Sequence, residues 1–186
     1  MPKDLPTPET LRKLLRYEPD TGKLFWRERS AECFKDGNHT ALHSCAIWNS
    51  RYANTEAFTL NRSTGYKQGH ILRVQCSAHR VAWAMYHGFW PKQHIDHING
   101  IRHDNRIKNL RDVSMVQNAR NSAKSSRNTS GVCGVSWAKR ENKWSAQITL
   151  NYKKKHLGFF DDIEAAAVAR KAAEIKFGFS ERHGKK

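Results

Sequence analysis

Leucine returns at helical spacing in residues 7–16, Thr-Pro-Glu-Thr-Leu-Arg-Lys-Leu-Leu-Arg, behind a capping threonine, and this predicts a short helix. Glu18-Pro19-Asp20-Thr21-Gly22 is turn chemistry, and Lys23-Leu24-Phe25-Trp26-Arg27 after it reads as a strand. Residues 30–62 are polar with isolated aromatics (Phe34, Trp48, Tyr52, Phe58), a pattern that predicts irregular structure. Residues 65–74 alternate weakly, which predicts a hairpin turning at Gly69. Residues 78–87 carry an apolar stripe of helical period closed by Gly88 as a C-cap. Three strand-like runs follow at 132–139, 143–152 and 155–160, with Asn142 and Asn151 at the turns. An alanine-rich amphipathic helix over 163–177 then starts at Asp161 and Asp162. Runs of mixed helix and strand without a 20–50-residue repeat indicate a modular α+β protein and exclude a solenoid.

Between 122 and 130 the chain is small, polar and basic, the composition of a linker. The expected division is therefore an N-terminal hairpin-containing region (1–62), a core (63–122), a linker (123–130) and a C-terminal unit (131–180).

Charge narrows the function. Lysine and arginine number 33 against 17 acidic residues, a net charge of +16 in 186 residues. The excess is spread as about +4, +4 and +8 over residues 1–78, 79–122 and 123–186, which predicts attraction to polyanions along the whole chain. No long apolar run is present, which argues against a membrane. The start, Met-Pro-Lys-Asp-Leu-Pro-Thr-Pro, lacks an export core, so the expected setting is cytoplasmic. Cys33, Cys45, Cys76 and Cys133 form no Cys-x-x-Cys pair. A zinc ribbon or disulfide framework is not expected, and a site of Cys33, His39, His43 and Cys45 has none of the usual finger spacings.

The chemistry concentrates in residues 94–121: His94-Ile95-Asp96-His97-Ile98-Asn99-Gly100, Asp104-Asn105-Arg106-Ile107-Lys108-Asn109-Leu110, and Gln117-Asn118-Ala119-Arg120-Asn121. Phosphodiester hydrolysis needs a base for water and neutralisation of the phosphorane charge. His97 offers an imidazole, which near its unperturbed pKa can take a proton at neutral pH. Asp96 and Asn118 offer hard oxygen donors, which suit one Mg²⁺ or Mn²⁺. Asn109 is expected to accept the other imidazole N–H and so fix the tautomer of His97. Asn105 and Asn121 are second choices for the asparagine positions. His94, His103, His79 and Arg80 read as phosphate contacts, packing or solvated side chains.

In order and spacing this segment resembles the HNH (ββα-metal) nuclease module of phage-borne homing endonucleases, and Asp96, His97, Asn109 and Asn118 fall on its motif positions. Asn118 stands where many relatives have a second histidine, a departure that resembles the branch with one bound metal. Residues 131–178 resemble the AP2 DNA-binding domain through Gly134-Val135, Lys143-Trp144-Ser145-Ala146-Gln147-Ile148, Leu157-Gly158-Phe159-Phe160, Glu164-Ala165-Ala166 and Lys176-Phe177-Gly178. Residues 14–22 look like the leader of many phage HNH proteins. The resemblance implies a metal-dependent endonuclease acting on double-stranded DNA in a bacterial host or phage-infected cell; a monomer is one expected state, and the sequence does not fix the oligomeric state. In its tail, Arg140, Lys143, Lys154 and Lys155 would hold phosphates, and Gln147, Thr149 and His156 would reach base edges. Two alternatives stand beside it: a defence nuclease with the same chemistry, and a DNA-binding regulator that keeps the frame without useful catalysis.

Overall fold

The structure is a computed structural model and describes residues 4–61, 63–120, 124, 127–181 and 183–184. Asn121 and parts of the expected linker (residues 123, 125 and 126) lie outside the described residues. The chain forms two compact units, Met1–Asp112 and Val113–Lys186. Elements of both classes are interleaved along it, so the architecture is α+β.

The first unit begins with α1 (Pro8–Leu14), where Thr7 accepts a capping bond from the Thr10 amide and Pro8 supplies the preset first turn. β1 (Leu15–Glu18) and β2 (Lys23–Trp26) pair antiparallel across the 19–22 turn. α2 (Ala41–Tyr52) follows a short 3-10 turn (Ala31–Cys33). The sequence reading left this stretch irregular, because Cys45 is the only buried residue of α2 while Leu42 and Ile47 face solvent. What fixes the helix is local: Thr40 Oγ1 accepts from His43 N, and Asp36 Oδ1 from Ala41 N. Asn49 then ties α2 down, its amide bonding Arg29 N and Arg29 O.

β3 (Leu60–Asn61), β4 (Lys67–Ile71) and β5 (Val74–Ser77) form a three-stranded antiparallel sheet in the order β3-β4-β5. The turn expected at Gly69 lies instead at Leu72–Arg73, both with positive φ (49° and 64°). Gly69 is a mid-strand residue there for close approach, since a Cβ on it would sit 3.1 Å from the Phe58 ring. α3 (Ala78–His87) ends at Gly88 in the left-handed region (φ 81°), as expected. Leu11, Leu14, Leu15, Leu24, Phe58, Ile71, Val81 and Met85 meet in one buried core. The expected boundary at residue 62 runs through this core, so 1–62 and the segment that follows fold together. β6 (His94–His97) pairs with β7 (Leu110–Val113), and Ala82, Ile95 and Leu110 make a second small core with Tyr17 and Trp83 packed on it.

In the second unit α4 (Met115–Arg120) precedes a three-stranded antiparallel sheet, β8 (Val135–Ala138), β9 (Lys143–Leu150) and β10 (Lys153–Phe160). Asn142 and Asn151 take positive φ at the turns, the conformation their short side chains tolerate. α5 (Ile163–Lys176), capped by Asp162, lies on the face that carries Val135, Ala146 and the nearly inaccessible Ile148. One feature was not legible in the alanine pattern: α5 buries Arg170 and Glu174 as a pair at 3.0 Å. Arg170 also donates to the Gln147 carbonyl at 2.6 Å, so a main-chain acceptor helps satisfy the buried charge.

Candidate nuclease site

β6 delivers Ile95, Asp96 and His97 in succession, all buried. The loop after it is built by asparagine side chains. Asn109, at the end of a 3-10 turn (Ile107–Asn109), accepts from Asn99 N at 2.9 Å and donates to Asn99 Oδ1 at 2.9 Å and to Asp104 O at 2.8 Å. Its backbone carbonyl also accepts from Ile98 N. Asp104 receives Asn99 Nδ2 and two guanidinium N–H groups of Arg106, which hold its carboxyl down at about 2, well below the ordinary value. The loop is thus closed by charge-assisted and amide bonds.

Asn109 was expected to orient His97. Its amide is instead spent on the loop, and the imidazole partner is Asn105, whose Oδ1 lies 3.1 Å from His97 Nε2. Asn105 is 2% exposed and His97 3%. An amide oxygen accepts only, so the bond places the proton on Nε2 and leaves Nδ1 as the basic nitrogen. Burial pushes the His97 pKa below its ordinary 6.5, while the Asn105 bond and the charges of Asp96 and Asp104 pull the other way.

Aromatic rings enclose the imidazole. The His79 ring stands 5.4 Å away edge-on, and Tyr66 lies 5.8 Å from His97 and 5.1 Å from His79. Arg102 sits over the outer face of Tyr66. His79 is buried, its Nδ1 has no partner, and burial, then the charges of His97 and Arg80, push its pKa down to about 3. It is a neutral wall, in keeping with the packing reading of this residue. Arg80 clamps backbone, donating to Gln93 O and Pro91 O. His94 and His103 are exposed.

Asp96 Oδ2 accepts from Arg111 Nε (2.9 Å) and Arg111 NH2 (2.7 Å), across the β6–β7 pair. The carboxylate is 10% exposed, a hard oxygen donor held in place by a guanidinium that is 43% exposed. That chemistry fits a divalent cation. Asn118 lies in the second unit, on α4. Of the four residues of the zinc alternative, Cys45 is buried with its thiol donating to Arg29 O, Cys33 is exposed, and the His39 and His43 rings stand 4.9 Å apart.

Three contributors went unrecognised in the sequence. Tyr17 donates to the Asn105 carbonyl at 2.7 Å, and Ile107 N donates to the Pro19 carbonyl. Gly22, at φ 74°, lies so close that a Cβ there would stand 2.4 Å from Arg106 N and 2.5 Å from Asn105 C. The Glu-Pro-Asp-Thr-Gly turn is therefore a support for Asn105, the partner of the His97 imidazole. The third contributor is Arg111, whose register opposite Asp96 is visible only once β6 and β7 are paired.

In the tail, Lys154 is opposite Thr149 and His156 opposite Gln147, which puts these four on the sheet face away from α5. Thr149, Lys154, His156 and Arg140 are exposed. Lys155 is opposite Ile148 and its ammonium stands 5.5 Å from the Phe177 ring, so it belongs to the helix side. Lys143 pairs with Asp161 at 3.0 Å.

Among the described residues no helix is long and apolar enough to cross a membrane. No solved structure matches the chain. Residues 76–120 match the HNH endonuclease family. Over 90 residues the chain is 32% identical to Protein 3.8 of Escherichia phage T7, a stretch covering 48% of this chain and 74% of that protein. The chain belongs to the family of phage T7 Protein 3.8 and carries an HNH endonuclease domain across the segment that holds Asp96, His97 and Asn109.

Proposed function

We propose that this protein is a metal-dependent DNA endonuclease of the homing type, hydrolysing phosphodiester bonds with His97 as general base. The observation that carries the reading is the buried His97–Asn105 bond, which leaves Nδ1 basic, on a strand whose adjacent residue, Asp96, is a fixed carboxylate. Asp96, in the first unit, is the residue that would hold one Mg²⁺ or Mn²⁺. When bound, such an ion stabilises phosphorane charge and the leaving oxygen. His97 takes the proton of the attacking water at Nδ1, Asn105 keeps the ring from turning, and Asn109 keeps the loop that carries Asn105 closed. The C-terminal sheet, AP2-like in order and composition, reads duplex DNA as the protein's monomeric partner surface. Arg140, Lys143 and Lys154 contact phosphates there, and Gln147, Thr149 and His156 contact base edges, whereas Lys155, expected to join them, lies on the helix side.

A second reading has its own support. Arg111 already neutralises Asp96, as expected of a frame that binds DNA and cuts it poorly or not at all. Incubating the full chain with phage and host genomic DNA, with Mg²⁺, Mn²⁺ or EDTA, and sequencing the ends decides between them. The nuclease reading expects metal-dependent 3′-hydroxyl ends and a loss of about 10² to 10⁴-fold in rate for His97→Ala with binding retained. Binding without cleavage in either metal leaves the regulator reading.

A further inference from the structure

A cleft of about 480 Å³ opens in the first unit among residues that the nuclease reading does not use: Trp26, Arg29, Trp48, Tyr52, His70, Leu72 and Arg73. Its size lies within the usual range of small-molecule sites. Three aromatic rings form its apolar walls. Trp26 and Trp48 meet edge to face at 5.8 Å, and Tyr52 lies 5.4 Å from Trp48. Trp26 is backed by the buried Phe58 ring, stacked at 6.4 Å. The Arg29 guanidinium lies over Trp48 at 3.8 Å, and its Nε is buried without a hydrogen-bond partner.

The walls are set before anything binds. Trp26 N donates to Thr55 O and Asn54 N donates to Trp26 O, so the β2 end is bonded to the segment after α2. Asn49 fastens α2 to Arg29. The opposite rim is the β4–β5 turn, which holds Leu72 and Arg73 in the left-handed region, where neither side chain is favoured. Leu72 is 60% exposed at its tip. Every charged or ionisable group on the lining is basic or neutral (Arg29, Arg73, His70), and no acid lines it.

We propose that this cleft binds an unstacked nucleobase of a single-stranded or locally opened nucleic acid, the base lying against Trp48 and Tyr52 and its flanking phosphates on Arg73 and His70. Aromatic walls accept any base face, and cations at the rim take the backbone charge. Leu72 at the rim is an apolar side chain of the kind that wedges between base steps. The proposal rests on the endonuclease reading only for the presence of nucleic acid at this unit.

The test uses the full chain in EDTA with a ten-nucleotide oligothymidylate carrying one 5-iodouracil, photocrosslinked and mapped by mass spectrometry. The adduct is expected on Trp26, Trp48 or Tyr52. Trp48→Phe, which keeps a ring, should retain it. Arg73→Glu, at an exposed turn where folding is not at stake, should weaken oligonucleotide binding about tenfold or more and remove the adduct. Adducts confined to the C-terminal sheet, or an Arg73→Glu protein that binds and crosslinks like the parent, overturn the proposal and leave the cleft to a peptide partner. Plasmid cleavage in Mg²⁺ is read on the same preparation. An adduct without cleavage supports the cleft while the nuclease reading fails, and cleavage without an adduct on the three rings sinks the cleft alone.

Discussion

Asn105 Oδ1 and His97 Nε2 share a bond inside the protein, so the asparagine chooses which imidazole nitrogen is basic. Asn105→Ala should lower the cleavage rate about 10 to 100-fold with little change in DNA affinity. Asn105→Asp keeps an acceptor but adds a negative charge that favours imidazolium, so its pH–rate profile should shift toward higher pH. In the parent protein the neutral, basic form of His97 persists to lower pH than in an ordinary histidine, because burial disfavours its charge. The acid limb of the rate should accordingly fall below pH 6.5. An Asn105→Ala protein that cuts at the parent rate would remove Asn105 from the mechanism. His79 makes a separate prediction for stability. Its folded pKa of about 3 lies below the unfolded 6.5, so the unfolded chain binds the extra proton between those values. Stability is whole above pH 6.5 and falls toward pH 3, at up to about 1.4 kcal/mol per pH unit, and His79→Leu should flatten that slope in urea titrations. The sequence placed Asp96 and His97 as neighbours because adjacency is written in it. It left Asn105 behind Asn109, because two asparagines four residues apart differ only in which one the 3-10 turn points inward.

Among elements, the 19–22 turn bears most directly on the site. Gly22→Ala puts a Cβ against Arg106 N and the Asn105 backbone at a left-handed φ, beside the Asn105 carbonyl that Tyr17 holds. A destabilisation of about 1–3 kcal/mol is expected, with cleavage falling further than stability alone explains because Asn105 is displaced. A Gly22→Ala protein as stable and active as the parent, measured by denaturant midpoint and initial rate, would refute this support. Elements with a strong period (α1, α3, the three C-terminal strands and α5) were legible, since their apolar spacing repeats over two or more turns or strand pairs. α2 was not, because its hold on the unit comes from Thr40, Asp36 and Asn49 rather than from an apolar stripe. The β4–β5 turn was misplaced for a related reason. Gly69 looks like a turn residue, yet it answers to Phe58 across the sheet, a contact no local pattern contains.

At the scale of the molecule, α4 packs with the C-terminal unit: Tyr152 Oη donates to Met115 Sδ, Ser180 N to Arg120 O, and Arg120 lies over Phe179. A fragment ending at residue 124 keeps Asn118 but removes Tyr152, Phe179 and Ser180. It should retain a cooperatively folded first unit while cutting more slowly, and its binding should lose salt dependence along with about half of the net positive charge. Equal rates and equal salt slopes for the fragment and the full chain would show that the tail serves neither catalysis nor affinity. The polar run near residue 125 suggested a linker, but the two units divide at Asp112–Val113, and the place where α4 belongs was not legible because its partners lie over 30 residues downstream. The leader turn has a last consequence, for how such genes recombine. Exchange between two relatives that swaps only residues 76–120 would preserve every letter of the nuclease motif. It would still produce a protein with Asn105 and its His97 bond misaligned wherever the recipient's turn lacked glycine at position 22 or tyrosine at position 17. Viable crossovers should therefore carry both ends of the first unit together, and residues 17, 22 and 105 should be inherited as one allele.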